Sequence, residues 1–220
     1  MGRTKPNKPR RPRLPRQESI VALPTAGMSF RRPTGYVMPM IRASMVETPR
    51  EGRPRGQAPE IAVLSDCHNQ FQHEGLQRLV MDLACTAGEA TIMFSEHSPL
   101  SPVELLQQFS AHHAVNMATN QTMKDGDVVW GYIPAMVRPI FEPGARPGMD
   151  EVLFEIDEKY GFHTSMDFIV ALAIYSGAVV RRLAEATDRN PEEIMQELER
   201  RAEPIWKELD AFDTRAYMTT

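Results

Sequence analysis

Prolines at positions 6, 9, 12 and 15 recur every three residues, interleaved with Lys8, Arg10, Arg11, Arg13 and Arg16, and this spacing limits what the start of the chain can fold into. Proline fixes φ and carries no N–H, so such a run fits neither a helix interior nor a central strand and reads as extended chain. Ten of the 18 prolines fall within residues 1–60, and Arg50, Arg53, Pro54, Arg55 and Pro59 repeat the same composition. A segment of this kind buries too little apolar surface to offset its ordering entropy. Residues 1–59 are therefore expected to form a disordered basic arm. One stretch inside it differs. Phe30, Tyr36, Val37, Met38, Met40, Ile41 and Met45 make residues 20–46 an apolar strap, expected to lie extended across the folded domain or across a protein partner.

Charge divides at the same place. Residues 1–60 hold 13 Lys+Arg against 4 Glu, a balance of +9, and residues 61–220 hold 12 against 25, a balance of −13. The net −4 conceals this asymmetry, which marks an interaction arm. Arginine outnumbers lysine in the arm by 11 to 2. Guanidinium groups pair bidentately with phosphates, and a flexible arm of this charge binds nucleic acid through counterion release with little sequence preference. Lys5, Lys8, Arg10, Arg11, Arg13 and Arg16, followed by Arg31 and Arg32, are the candidate contacts to nucleic acid or another polyanion. The arm could equally dock on an acidic protein surface.

From about Glu60 the chain reads as an acidic domain, residues 60–220. Ile61–Leu64 is a short β-branched run, 90–95 and 128–133 are similar, and Val152, Phe154 and Ile156 alternate. These four segments predict strands. Leu76, Leu79, Val80 and Leu83 predict a helix over 71–87 that stops at Gly88. Ser101-Pro102-Val103-Glu104 is a capping box with proline at the first helical position and predicts a helix over 101–118. Residues 164–220 read as mainly helical. Phe168 to Val180 is apolar nearly all round, and Asn190-Pro191-Glu192-Glu193 opens a further helix. The expected fold class is α+β: a small mixed sheet packed by two helices and closed by a C-terminal helical hairpin.

Several functions are weighed by their residues. Ile61-Ala62-Val63-Leu64-Ser65-Asp66-Cys67-His68 resembles the opening motif of calcineurin-like metallophosphoesterases, a strand ending in Ser-Asp-x-His. The resemblance covers about eight residues. It implies Asp66 and His68 as metal ligands in a metal-dependent hydrolase, where metal-activated water cleaves a phosphate ester. The family's later Gly-Asn-His and Gly-His-x-His segments do not occur in this chain. Cys67, His68, His73, Cys85, His97, His112 and His113 show no zinc spacing. Residues 179–194 imitate a helix-turn-helix, but Glu192, Glu193, Glu197 and Glu199 on the second helix would repel phosphate, which favours a hairpin for packing or for a protein partner.

Two cysteines in 220 residues do not form a secreted disulfide framework, and the reducing compartment they imply is the cytoplasm. The longest apolar run has 13 residues, short of the roughly 20 that a bilayer requires, so no membrane partner is expected. No cofactor is implied. The expectation is a non-enzymatic binding or assembly protein, with the hydrolase and a structural subunit docking through residues 20–46 as alternatives.

Overall fold

Val63, Leu64 and Cys67, then Leu76, Leu79, Val80 and Leu83, fall three and four residues apart, and in the computed structural model all of them are buried along one helix, α2 (Pro59–Ser95). The structure describes residues 30–46, 58–120 and 126–218. Among these every element is helical: a 3-10 turn at Pro33–Tyr36, α1 (Val37–Met45), α2, α3 (Pro102–Asn120), α4 (Gly126–Val137), a second 3-10 turn at Arg138–Ile140, α5 (Met149–Tyr160), α6 (Phe162–Thr187) and α7 (Pro191–Met218).

The α+β class is therefore corrected to all-α, and the physical reason is the same in each segment. Short apolar runs satisfy both periods, and the helical one wins. Residues 61–64 belong to the first turns of α2, which opens with Pro59 at a position needing no N–H and Glu60 beside the helix N-terminus. Residues 128–133 lie in α4, where Val129, Trp130, Ile133, Met136 and Val137 form one buried face. In α5, Val152 and Ile156 are buried four residues apart, while Phe154 between them is 70% exposed. An alternating strand would have put all three on one side.

Residues 90–95 continue α2 through Gly88, which is not a stop. A Cβ there would lie 2.7 Å from Cβ of Ile140, so this glycine allows the 3-10 turn Arg138–Ile140 to lie against the helix. The only interruption of α2 is Gln72, at φ 59° and ψ −154°.

α6 is the central helix. It packs on α1, α2, α4, α5 and α7. Its apolar surface is long enough to cross a bilayer, but 78% of the most apolar window is buried within the fold. Packing against the neighbouring helices covers it. Two polar links fix it. Thr91 Oγ1 and Tyr175 Oη lie 2.8 Å apart in the interior between α2 and α6. Ser44 Oγ at the end of α1 donates to the carbonyl of Ala173 at 2.9 Å.

The extended strap is also corrected in the part that is described. Residues 33–45 are helical, and Tyr36, Val37, Met40 and Ile41 have no exposed surface. They are a layer of the core, wedged between α2 and α6. Residues 20–29 of the strap lie outside the described residues.

Two helical starts read from the sequence, at Ser101 and Asn190, are present, whereas the helix expected from residue 71 begins at Pro59. Ser101 N–H donates to Glu104 at 2.8 Å and Glu104 N–H donates to Ser101 Oγ at 3.3 Å, which completes the reciprocal cap of α3. Asn190 Oδ1 accepts from Glu192 N–H at 2.9 Å at the start of α7. The α6–α7 hairpin turns through Asp188 in the left-handed region (φ 52°).

Candidate interaction site at the root of the basic arm

Phe30 is the first described residue, and it is fastened. Its N–H donates to Gln70 Oε1 at 3.2 Å, and Gln70 Nε2 donates back to its carbonyl. Its ring meets Tyr36 edge-on, with centroids 4.8 Å apart, and lies over Gly35, where a Cβ would come within 2.6 Å of it. Tyr36 in turn donates its hydroxyl to the same Gln70 Oε1 at 2.8 Å. One amide, two residues before the break at Gln72, thus holds the point where the arm joins the domain. Burial pushes the Tyr36 hydroxyl above its usual pKa, aided by Cys67 and Asp66 nearby, so it stays a donor.

Just beyond the root lies a buried polar network. Asp82 has no exposed surface, on the apolar side of α2. Its carboxylate accepts from Thr34 Oγ1 at 2.7 Å and from Arg78 Nε at 2.9 and 3.0 Å. Arg78 also donates to the Trp206 carbonyl at 2.9 Å and pairs with Asp210 at 2.9 Å. Trp206 Nε1 donates to the Asp82 carbonyl at 3.3 Å and to Thr86 Oγ1 at 3.2 Å. The network ties the 3-10 turn, α2 and α7 together. A buried carboxylate holds its charge only with such partners, and even so burial is the larger effect and pushes the Asp82 carboxyl above its ordinary value against the lowering by Arg78 and Thr34.

Between this turn and α7 runs an open groove of about 490 Å³. Thr34, Gly35 and Met38 form one wall, and Trp206 with Gln196, Glu199, Arg200 and Glu203 forms the other.

The structure places the residues singled out in the sequence as follows. Lys5, Lys8, Arg10, Arg11, Arg13 and Arg16 lie outside the described residues. Arg31 and Arg32 are exposed at the root, and Arg32 pairs with Asp210 of α7. Asp66 and His68 sit two residues apart on α2, about 200° around the helix, and not at a strand end. The loop geometry implied by the phosphoesterase resemblance is absent at these residues. Asp66 Oδ2 and His68 Nδ1 are buried without a hydrogen-bond partner, and the His68 ring packs 5.7 Å from that of Phe162. Among the described residues no group of three or more His, Cys, Asp and Glu is placed to hold a metal.

Gln70, Arg78, Asp82 and Trp206 escaped the sequence reading. Asp82 carried a signal: an acid amid Leu79, Val80 and Leu83, with an arginine four residues before it.

The described residues form an all-helical domain, and the sequence that precedes them, residues 1–29, is basic. No family model, no curated protein and no solved structure gives a significant match to this chain.

Proposed function

We propose that this is a non-enzymatic binding protein whose helical domain presents the basic arm to nucleic acid or a comparable polyanion. The observation that carries the reading is the division of charge. Residues 1–29 hold seven Lys and Arg against Glu18 alone, and they join the domain at a residue that is pinned on both sides of its peptide. A tethered cationic chain releases counterions from phosphates and needs no fixed conformation of its own to do so. The exposed Arg31 extends the basic run to the domain surface. The acidic domain disfavours broad contact with phosphate, which confines the interaction to the arm.

The test is fluorescence anisotropy of labelled duplex DNA and RNA, with the full chain and with a chain lacking residues 1–29, over a salt series. The truncation stops there because Tyr36 to Ser44 are core. The expected result is binding by the full chain alone, with log affinity falling linearly in log salt by about 0.9 per phosphate contacted on duplex DNA. Equal binding by both chains, or none at low salt, overturns the reading.

A further inference from the structure

We infer that the groove between the 3-10 turn and α7 is the docking site of this chain's own arm, residues 6–16, when no polyanion is bound. The inference builds on the arm as a polyanion binder, although docking itself is read independently of that function.

Four observations converge. The first is position. Gly35 lines the groove and also lies under the ring of Phe30, so the arm leaves the domain beside the groove wall. The second is reach. Fourteen residues separate Arg16 from Arg31, a tether of up to about 50 Å, and a short tether holds its end at an effective concentration of about a millimolar. The third is charge. Residues 191–210 of α7 hold seven Asp and Glu against three Lys and Arg. Glu199 stands exposed in the groove wall with no ion-pair partner among the described residues, and Glu203 is shared only with the exposed Lys207.

The fourth is the form of the groove. Met38 and Trp206, both largely buried, form its apolar floor, and Glu199 and Glu203 stand on either side of Arg200 along its α7 edge, an open channel wide enough for an extended chain with proline every three residues and arginine between. Pro204 of α7 has no N–H, so the carbonyl of Arg200 in the groove wall receives no helical bond from that position. Each arginine held by the groove is withheld from phosphate. The groove therefore competes with nucleic acid for the arm.

The experiment uses the full chain at low salt, with two readouts. One is the rate of trypsin cleavage at Arg10 to Arg16 in the parent and in Glu199→Gln/Glu203→Gln. The other is carbodiimide cross-linking of carboxylates to lysines at dilution, located by mass spectrometry. Docking predicts several-fold faster cleavage of the arm in the double variant, and cross-links from Lys5 or Lys8 to Glu199 or Glu203 in the parent. Equal cleavage rates, or cross-links from those lysines only to other carboxylates, overturn it. Anisotropy with duplex DNA separates the two readings. If the arm docks and the full chain still binds no nucleic acid, the docking stands and the proposed function falls. If both hold, the double variant binds DNA several-fold more tightly than the parent.

Discussion

Gln70 and Phe30 form a reciprocal pair: the amide oxygen of Gln70 accepts from the Phe30 N–H at 3.2 Å while its nitrogen donates to the Phe30 carbonyl. The same oxygen takes the Tyr36 hydroxyl at 2.8 Å. This side chain fastens Phe30 to α2.

Gln70→Ala removes all three bonds at once. Most of the site is exposed, so water replaces the lost partners of Phe30, whereas Tyr36 Oη is left in a buried setting. The expected loss is about 1–2 kcal/mol in urea unfolding. Trypsin cleavage after Arg31 should accelerate well beyond what that loss of global stability produces; the Arg32–Pro33 bond resists trypsin. A variant with unchanged cleavage there would show that Phe30 is held by its ring alone.

Asp82 joins this root to α7, and its titration gives a signed prediction. Its folded carboxyl lies above the ordinary 3.8 because burial outweighs Arg78. The folded chain then takes up this proton before the unfolded chain does. The stability gained from that proton is present below about pH 4 and is lost as pH rises through the folded value. Asp82→Asn cannot titrate, so its deficit relative to the parent should widen on acidification, read as the difference between urea midpoints at pH 3.5 and pH 6.5. A deficit that narrows would mean that Arg78 dominates and the folded value lies below 3.8. Asp82→Ala removes the carboxylate from Nε of Arg78, whose side chain is 12% exposed and keeps Asp210 and the Trp206 carbonyl, and should cost about 1–3 kcal/mol.

The sequence disclosed some parts of this architecture and hid others for physical reasons. Caps are local: Ser101 with Glu104, and Asn190 ahead of Pro191, specify helix starts through atoms within four residues, and both starts are where those atoms put them. The buried character of α6 was equally plain from Phe168 to Val180. The strands expected at 61–64, 90–95, 128–133 and 152–156 are helical, because runs of four to six residues are too short to distinguish periods of 2.0 and 3.6. Length settles the matter only when residues 59–95 are seen as one helix, and Gln72 and Gly88 within it disguise that length. Residues 33–45 read as part of the 20–46 strap because prolines and arginines surround them, although Val37, Met40, Ile41 and Ser44 carry helical spacing. The site was hidden for another reason. Gln70, Asp82 and Trp206 acquire their roles through partners 34 to 124 residues away, which no window of sequence contains.

Gly177 and Gly131 separate close approach from helix propensity. Both lie inside helices, α6 and α4. A Cβ at Gly131 would meet nothing within 4 Å, so Gly131→Ala should stabilise by about 0.5–1 kcal/mol. At Gly177 a Cβ would lie 2.7 Å from Ser44 Oγ and 2.8 Å from Met45 Cγ. Ser44 has little freedom to withdraw, because its hydroxyl is engaged with the carbonyls of Ile41 at 2.7 Å and Ala173 at 2.9 Å. Gly177→Ala should forfeit the propensity gain and lose about 1–3 kcal/mol. Thermal unfolding of the two variants should therefore move in opposite directions. A matching gain at Gly177 would show that α1 is able to shift outward from α6.

Cys67 and Cys85 test the packing of α2 without altering it. Both thiols are free, and they are 0% and 2% exposed. Burial pushes each up to about 12. At pH 8 almost no thiolate exists in the folded chain, and reagents that need the thiolate must wait for an opening of the structure. Ellman's reagent should modify neither cysteine on the timescale on which both react fully in 8 M urea. Cys67 lies on the N-terminal side of the break at Gln72 and Cys85 on the other. If the break separates two units of different local stability, Cys67 will react first as urea is raised below the global midpoint. Reaction of both thiols at one rate across that range would mean that α2 opens as a single unit despite the kink at Gln72.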